Sequence, residues 1–229
     1  MFEAIHLLAG RRVVDAVWSR VEQYAVVAMR LYHVPNSSSQ RVVWLLEELG
    51  EPYELVILGD RASRLADREH MARHPMGRVP VLEDDGGPVF ESGAICLYLA
   101  DKYPQAGLLP PAGTHERGLA YQWSLFAYTE LQARALQIRL AGSAEVAEAP
   151  TKALREAVDA VDRALQGRDF LVGDRFSVAD LLVGTALSAA RRLGAVELPA
   201  EAGRYLDALE SRPAKQRADA RNPSPASPT

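Results

Sequence analysis

The stretch HPMGRVPVLEDDGGPVFES, residues 74–92, decides how the rest of the chain is read. Two short apolar runs, Val79–Leu82 and Pro88–Phe90, flank an acidic, glycine-rich turn at Asp84–Gly87. That pattern is a β-hairpin. Pro80 heads the first run and has no N–H to give to a ladder. A proline there is a candidate for a cis peptide bond, and it leaves the Val79 backbone for another partner. Ser92 stands where a helical pattern starts, and unpaired main-chain N–H groups at a helix start attract an anion. The hairpin therefore offers a strand edge at one end and an anion site at the other. A small extended peptide with a carboxylate fits both.

Outward from the hairpin, Met29–Val34 alternates like a strand, and Pro35–Ser39 is a turn rich in helix-capping residues. Gln40–Leu49 has an apolar helical face closed by Gly50, and Tyr53–Leu58 reads as a second strand. This β-α-β unit implies a parallel pair with a right-handed crossover. A polar, partly helical stretch, Gly59–Arg73, leads into the hairpin, and a helix over Gly93–Tyr103 follows it, stopped by Pro104. Past the linker QAGLLPPA, residues 105–112, strand patterns cease. Helices are predicted over His115–Leu140, Lys152–Leu165 and Arg204–Arg217, with another starting at Ser177. Ser177 and Asp180 form a variant capping box, so Asp180→Ala is expected to cost about 1 kcal/mol.

The predicted organisation is an extension over 1–28, an α/β domain over 29–104, the linker, an all-helical domain over 113–220 and a disordered tail over 221–229. A short amphipathic helix is possible around Val13–Val21. The chain has 229 residues, 48% hydrophobic and 24% charged, the balance of a globular protein. A formal net charge of -4 gives no reason to expect nucleic acid or an anionic membrane as partner. The single cysteine, Cys96, excludes an intrachain disulfide and a cysteine-based metal cluster, and no metal site is expected. A lone thiol fits a reducing cytoplasm. No apolar run reaches the length of a membrane span, and Arg11, Arg12 and Asp15 interrupt any signal-peptide core.

The strand order, with Pro80 at the head of the third strand, resembles the thioredoxin-like half of cytosolic glutathione transferases. The residues that carry the likeness are SSSQRVVWLLEELGEPYELV, HPMGRVPVLEDDG and FESGAICLYLADKYP. The segment FLVGDRFSVADLLVGTAL resembles the central helix of that family's helical domain. The likeness is to bacterial, serine-type, theta- and beta-like members. It implies an α/β thioredoxin-like N-terminal domain followed by an all-α C-terminal bundle. It also implies glutathione as co-substrate, no permanently bound cofactor, a small hydrophobic electrophile, a homodimer and a cytoplasmic location. Peroxidase chemistry is the expected side activity.

On this resemblance the γ-glutamyl carboxylate of glutathione sits at Ser92, and Glu91 faces its amino group. The cysteinyl unit pairs with Val79 beside Pro80, as an added strand. Arg78 points to the glycyl carboxylate. Glu91-Ser92 also fits an ordinary helix cap, and Arg78 an ordinary solvated charge. A free thiol has a pKa of about 8.5, and holding it as thiolate at neutral pH requires a drop of about two units, roughly 2.7 kcal/mol. A hydroxyl donating to the thiolate supplies about 1.5–3 kcal/mol and a helix N-terminus about 0.3–1. The donor must lie in the turn Asn36–Ser39. Spacing from Arg41 selects Ser37, the preferred assignment, whereas spacing from Glu47–Gly50 selects Ser38, the place of the beta-class cysteine. His33, Tyr121, Trp123 and Tyr128 are candidates for lining the electrophile pocket. Aromatic residues at helical spacing also fit a core. Cys96, inside an apolar helix, is expected to be an inert core thiol. The absence of a cysteine from the first turn disfavours glutaredoxin-like exchange and the Ser-Ser-Cys chemistry of zeta-type isomerases. A non-catalytic ligand-binding or regulatory protein of the same fold is the alternative.

Overall fold

The computed structural model describes residues 29–222. The expectations for residues 1–28 and for 223–229 lie outside it. Strands β1 (Arg30–His33), β2 (Glu54–Ile57), β3 (Val81–Asp84) and β4 (Gly87–Phe90) form one sheet in the order β2-β1-β3-β4. β1 and β2 are parallel, and β3 is antiparallel to both β1 and β4. Helix α1 (Gln40–Leu49) crosses between the parallel strands and ends at Gly50 with φ 71°, which glycine adopts without a Cβ penalty. The polar stretch before the hairpin contains two short helices, α2 (Arg61–Ala66) and α3 (Arg68–Arg73), capped by Asp60 and Asp67. Helix α4 (Ser92–Lys102) follows β4 and returns across the sheet.

The second domain is helical. Helix α5 (His115–Phe126) runs through a π-helical turn, Ala127–Gln132, into α6 (Ala133–Leu140). The long helix predicted here is therefore locally rewound, and Tyr128 lies in the rewound turn. Helix α7 (Ala144–Ala164) begins eight residues before the predicted Lys152, because Ser143 caps it and Pro150 is carried inside. Helix α8 (Val178–Leu193) is buried along most of its length and packs against its neighbours with small side chains. Where the Gly184 Cα faces Leu209, a Cβ would come within 2.6 Å of the leucine side chain. The single predicted last helix is two, α9 (Ala200–Glu210) and α10 (Pro213–Ala220), because Pro213 starts a new helix and cannot continue the old one. The fold is thus a thioredoxin-like α/β domain plus an all-α domain.

Asp180 does more than cap α8. Its carboxylate accepts from the Ser177 N–H and O–H at 2.8 Å each, from the Leu171 N–H at 2.9 Å and from the Tyr205 hydroxyl at 2.9 Å. It is fully buried. Burial pushes this carboxyl up, and the four donors pull against that shift. Removing it orphans several buried donors rather than one cap. Asp180→Ala is therefore expected to cost about 3 kcal/mol or more. Urea unfolding measures this, and a loss below about 1 kcal/mol would reduce Asp180 to an ordinary cap.

Candidate active site

Three segments meet at one edge of the sheet: the turn Pro35–Ser39, the strand approach Gly77–Pro80, and Glu91-Ser92 at the start of α4. In the turn, His33 Nδ1 lies 2.7 Å from Ser39 Oγ, and Ser39 Oγ lies 2.6 Å from Ser37 Oγ. Ser37 Oγ in turn lies 2.7 Å from the Val34 carbonyl oxygen. Each hydroxyl carries one hydrogen and a carbonyl carries none. All three contacts are hydrogen bonds only if Ser37 donates to Val34, Ser39 to Ser37, and His33 to Ser39. His33 therefore carries its proton on Nδ1. Its ring is fully buried, and burial lowers its pKa against an opposing contribution from the Asn222 side chain.

This chain commits the Ser37 hydrogen to the main chain. Ser38 stands outside it. Its hydroxyl has one partner among the described residues, the Val79 carbonyl, at 3.3 Å. The N–H groups of Ser37 and Ser38 have no partner among the described residues, and no side chain caps α1.

Val79 is presented from behind. Arg64 Nε donates to the Gly77 carbonyl at 3.2 Å, and His70 Nε2 donates to the Arg78 carbonyl at 3.1 Å. The Val79-Pro80 bond is cis. The Val79 N–H is unpaired among the described residues, and β3 pairing begins only at Val81. The Val79 C=O thus meets the Ser38 hydroxyl while its N–H has no partner among the described residues, which leaves a main-chain pair that a peptide strand can extend. The Arg78 side chain is exposed beside it.

At the far end, Glu91 has φ 70° and makes no side-chain cap, so the first N–H groups of α4 are free of one. Ser92 is 3% exposed, and its Oγ lies 2.8 Å from the Tyr128 hydroxyl, which comes from the helical domain. Gly93 makes this approach possible, since a Cβ there would meet the Tyr128 ring at 2.7 Å. The Arg41 guanidinium lies over the same ring, 5.2 Å from its centroid. Burial raises the Tyr128 pKa, and Arg41 pulls the other way. Arg41 is only 9% exposed, yet it belongs to none of the ion pairs among the described residues. A buried cation without a counter-ion is costly and favours an arriving anion.

The remaining predicted residues are dispersed. His33 lies beneath the serine turn, not at a cleft. Tyr121 is exposed, and its hydroxyl accepts from Arg117 at 3.0 Å. Trp123 is half-buried, edge-on to Phe126 at 5.3 Å. The one sequence signal for Arg41 is a charge directly before the apolar run Val42–Leu46. Nothing in the sequence marked Ser39 and His33 as partners, because the turn folds back to join them. Cys96 is fully buried, and burial raises its thiol pKa to about 12. At pH 8 it is therefore a thiol, and iodoacetamide is expected to leave the native protein unlabelled while labelling it fully in urea; rapid native labelling would contradict this placement.

Comparison with known proteins identifies the family. Residues 27–101 match the family model described as "Glutathione S-transferase, N-terminal domain", and residues 109–213 match "Glutathione S-transferase, C-terminal domain". The chain is 30% identical over 191 residues to "Glutathione S-transferase GstA" of Escherichia coli O157:H7, covering 82% of this chain and 94% of that one. It is 31% identical over 203 residues to "Glutathione S-transferase hmp2" of Hypomyces subiculosus, covering 81% and 95%. A sphingomonad glutathione S-transferase solved with glutathione superposes with a TM-score of 0.75 at 30% identity, covering 84% of this chain and 98% of that chain. The chain belongs to the glutathione S-transferase family, and its activity is glutathione S-transfer. No helix among the described residues is long and apolar enough to cross a membrane.

Proposed function

We propose that Ser38 activates the thiol of glutathione bound along Val79, for attack on a small hydrophobic electrophile. The observation that carries this is the Ser38 hydroxyl beside the Val79 carbonyl, with the Val79 N–H unpaired and two uncapped helix N-termini at hand. The cysteinyl N–H of glutathione takes over the Val79 carbonyl from Ser38, whose bond to it is long. The thiol proton leaves to solvent, and the freed hydroxyl donates to the sulfur and stabilises the thiolate. Ser37 holds the turn. The γ-glutamyl carboxylate lies on Ser92 and the first N–H groups of α4, with Arg41 as its counter-ion and Tyr128 fixing the serine. Glu91 faces the γ-glutamyl amino group, and Arg78 the glycyl carboxylate. The thiolate then attacks the electrophile's carbon, the carbon–leaving-group bond breaks, and the leaving group departs with its electron pair. Hydroperoxides are a side substrate, and the electrophile pocket lies between the domains near Trp123 and Tyr121. The enzyme acts in the cytoplasm.

Thiolate absorbance of bound glutathione in the ultraviolet tests the assignment. Wild type is expected to show it at pH 7, Ser38→Ala to lose most of it, and Ser37→Ala to keep more than Ser38→Ala. If Ser37→Ala abolishes the signal and Ser38→Ala does not, the roles are reversed. A wild type that binds glutathione without forming thiolate is the non-catalytic alternative.

A homodimer completes the reading. Leu125, Leu136 and Leu140 are 64%, 42% and 71% exposed along one continuous helical run, with Phe90 exposed on β4. Apolar surface of this extent favours a second copy as its cover. Light scattering is expected to give twice the chain mass, and a monomer at micromolar concentration would count against it.

A further inference from the structure

Both ends of the Ser38 turn are held by the far end of the chain. The Asn36 N–H donates to Asn222 Oδ1 at 3.0 Å, and the Asn222 side-chain amide returns a bond to Asn36 Oδ1 at 3.1 Å. On the other side of the serines, Gln40 Nε2 donates to the Ala218 carbonyl at 2.7 Å. Arg221 and Asn222, which the sequence alone assigns to a tail, are thus fastened to the thioredoxin-like domain.

The rest of α10 is a splint along α1. Arg212 pairs with Glu48 through Nε at 2.7 Å and through its terminal nitrogen at 2.9 Å. Arg217 Nε reaches Glu47 at 3.0 Å, Arg221 Nε reaches it at 2.7 Å, and the Tyr53 hydroxyl donates to it at 2.8 Å. Glu47 is 8% exposed, and these partners offset the cost of burying it. The ion pairs fix the helix along α1, and the amide pair is the part that reaches the turn.

The turn needs that support at one place. The His33–Ser39–Ser37–Val34 chain fixes its inner side, but does not touch Asn36. Asn36 has φ 59°, the left-handed region that non-glycine residues enter at a cost and that asparagine tolerates best. It directly precedes Ser37, so a change in its backbone redirects the following residues. We infer that Asn222 is a positioning residue: it holds Asn36 left-handed and thereby aims the Ser38 hydroxyl at the sulfur over Val79. The inference rests on the reading that Ser38 activates the thiol.

The experiment is Asn222→Ala in the full chain, with thiolate absorbance of bound glutathione at pH 7, glutathione affinity and thermal stability measured together. Arg212→Ala, at the opposite end of the splint, is the stability control. Asn222→Ala is expected to lower the thiolate fraction at least about threefold, the scale of one lost hydrogen bond, with glutathione affinity weakened only by the share that the lost thiolate stabilisation accounts for. Arg212→Ala is expected to lower the melting temperature and keep the thiolate. A wild-type thiolate signal in Asn222→Ala overturns the inference. So does an equal loss in both variants, which would mean α10 acts only through stability. A wild type without thiolate removes the underlying reading and this inference with it.

Discussion

The site depends on main-chain N–H groups that the fold leaves unpaired. Most other helix starts are closed by a side chain: Asp60 caps α2, Asp67 caps α3, Thr114 caps α5, Ser143 caps α7, and Asp162 takes two N–H groups at the start of α9. The starts of α1 and α4 have no such side chain, and the turn before α1 lies against Val79, whose own N–H is also unpaired among the described residues. Orphan donors are costly when dry and useful when an anion arrives. Concentrating them in one place makes a receptor for a peptide with a carboxylate and a thiol that must carry negative charge.

That arrangement is kept in place by contacts that never meet the ligand. Arg64 and His70 occupy the carbonyls before Val79, so the backbone cannot turn inward to pair with its own fold. His33 and Ser39 settle which serine hydrogen is spoken for. Gly93 lets the helical domain bring Tyr128 against Ser92, and the π-helical turn after α5 places that tyrosine. The helical domain therefore reaches the start of α4 through Tyr128.

The sequence carried the α/β half clearly because its signals are local. The alternation of Met29–Val34, the apolar face of Gln40–Leu49, Gly50, Pro80 and the Asp84–Gly87 turn each act over a few residues. It failed where a competing local signal won. The apolar face over Lys152–Leu165 marks only the second half of α7, yet Ser143 caps the helix and Pro150 is carried inside it. Pro213 splits what reads as one terminal helix. Asp180 looked like a cap, but two of its donors, Leu171 and Tyr205, are nine and twenty-five residues away, beyond any local pattern.

By itself the sequence determined that this chain has a thioredoxin-like half with a proline-headed strand, a helical half, and a serine turn, a strand edge and a helix start suited to glutathione. Those are properties of residue type and short spacing. Only the tertiary structure gives the serines different surroundings, because hydroxyl hydrogens are allotted by partners in space: Ser37 lies against Val34 and Ser39, Ser39 against His33, and Ser38 against Val79. It alone brought Arg41, Tyr128 and Ser92 together, and set Asn222 against Asn36 across most of the chain. Such pairings depend on how helices from two domains pack, and no window of sequence records that distance.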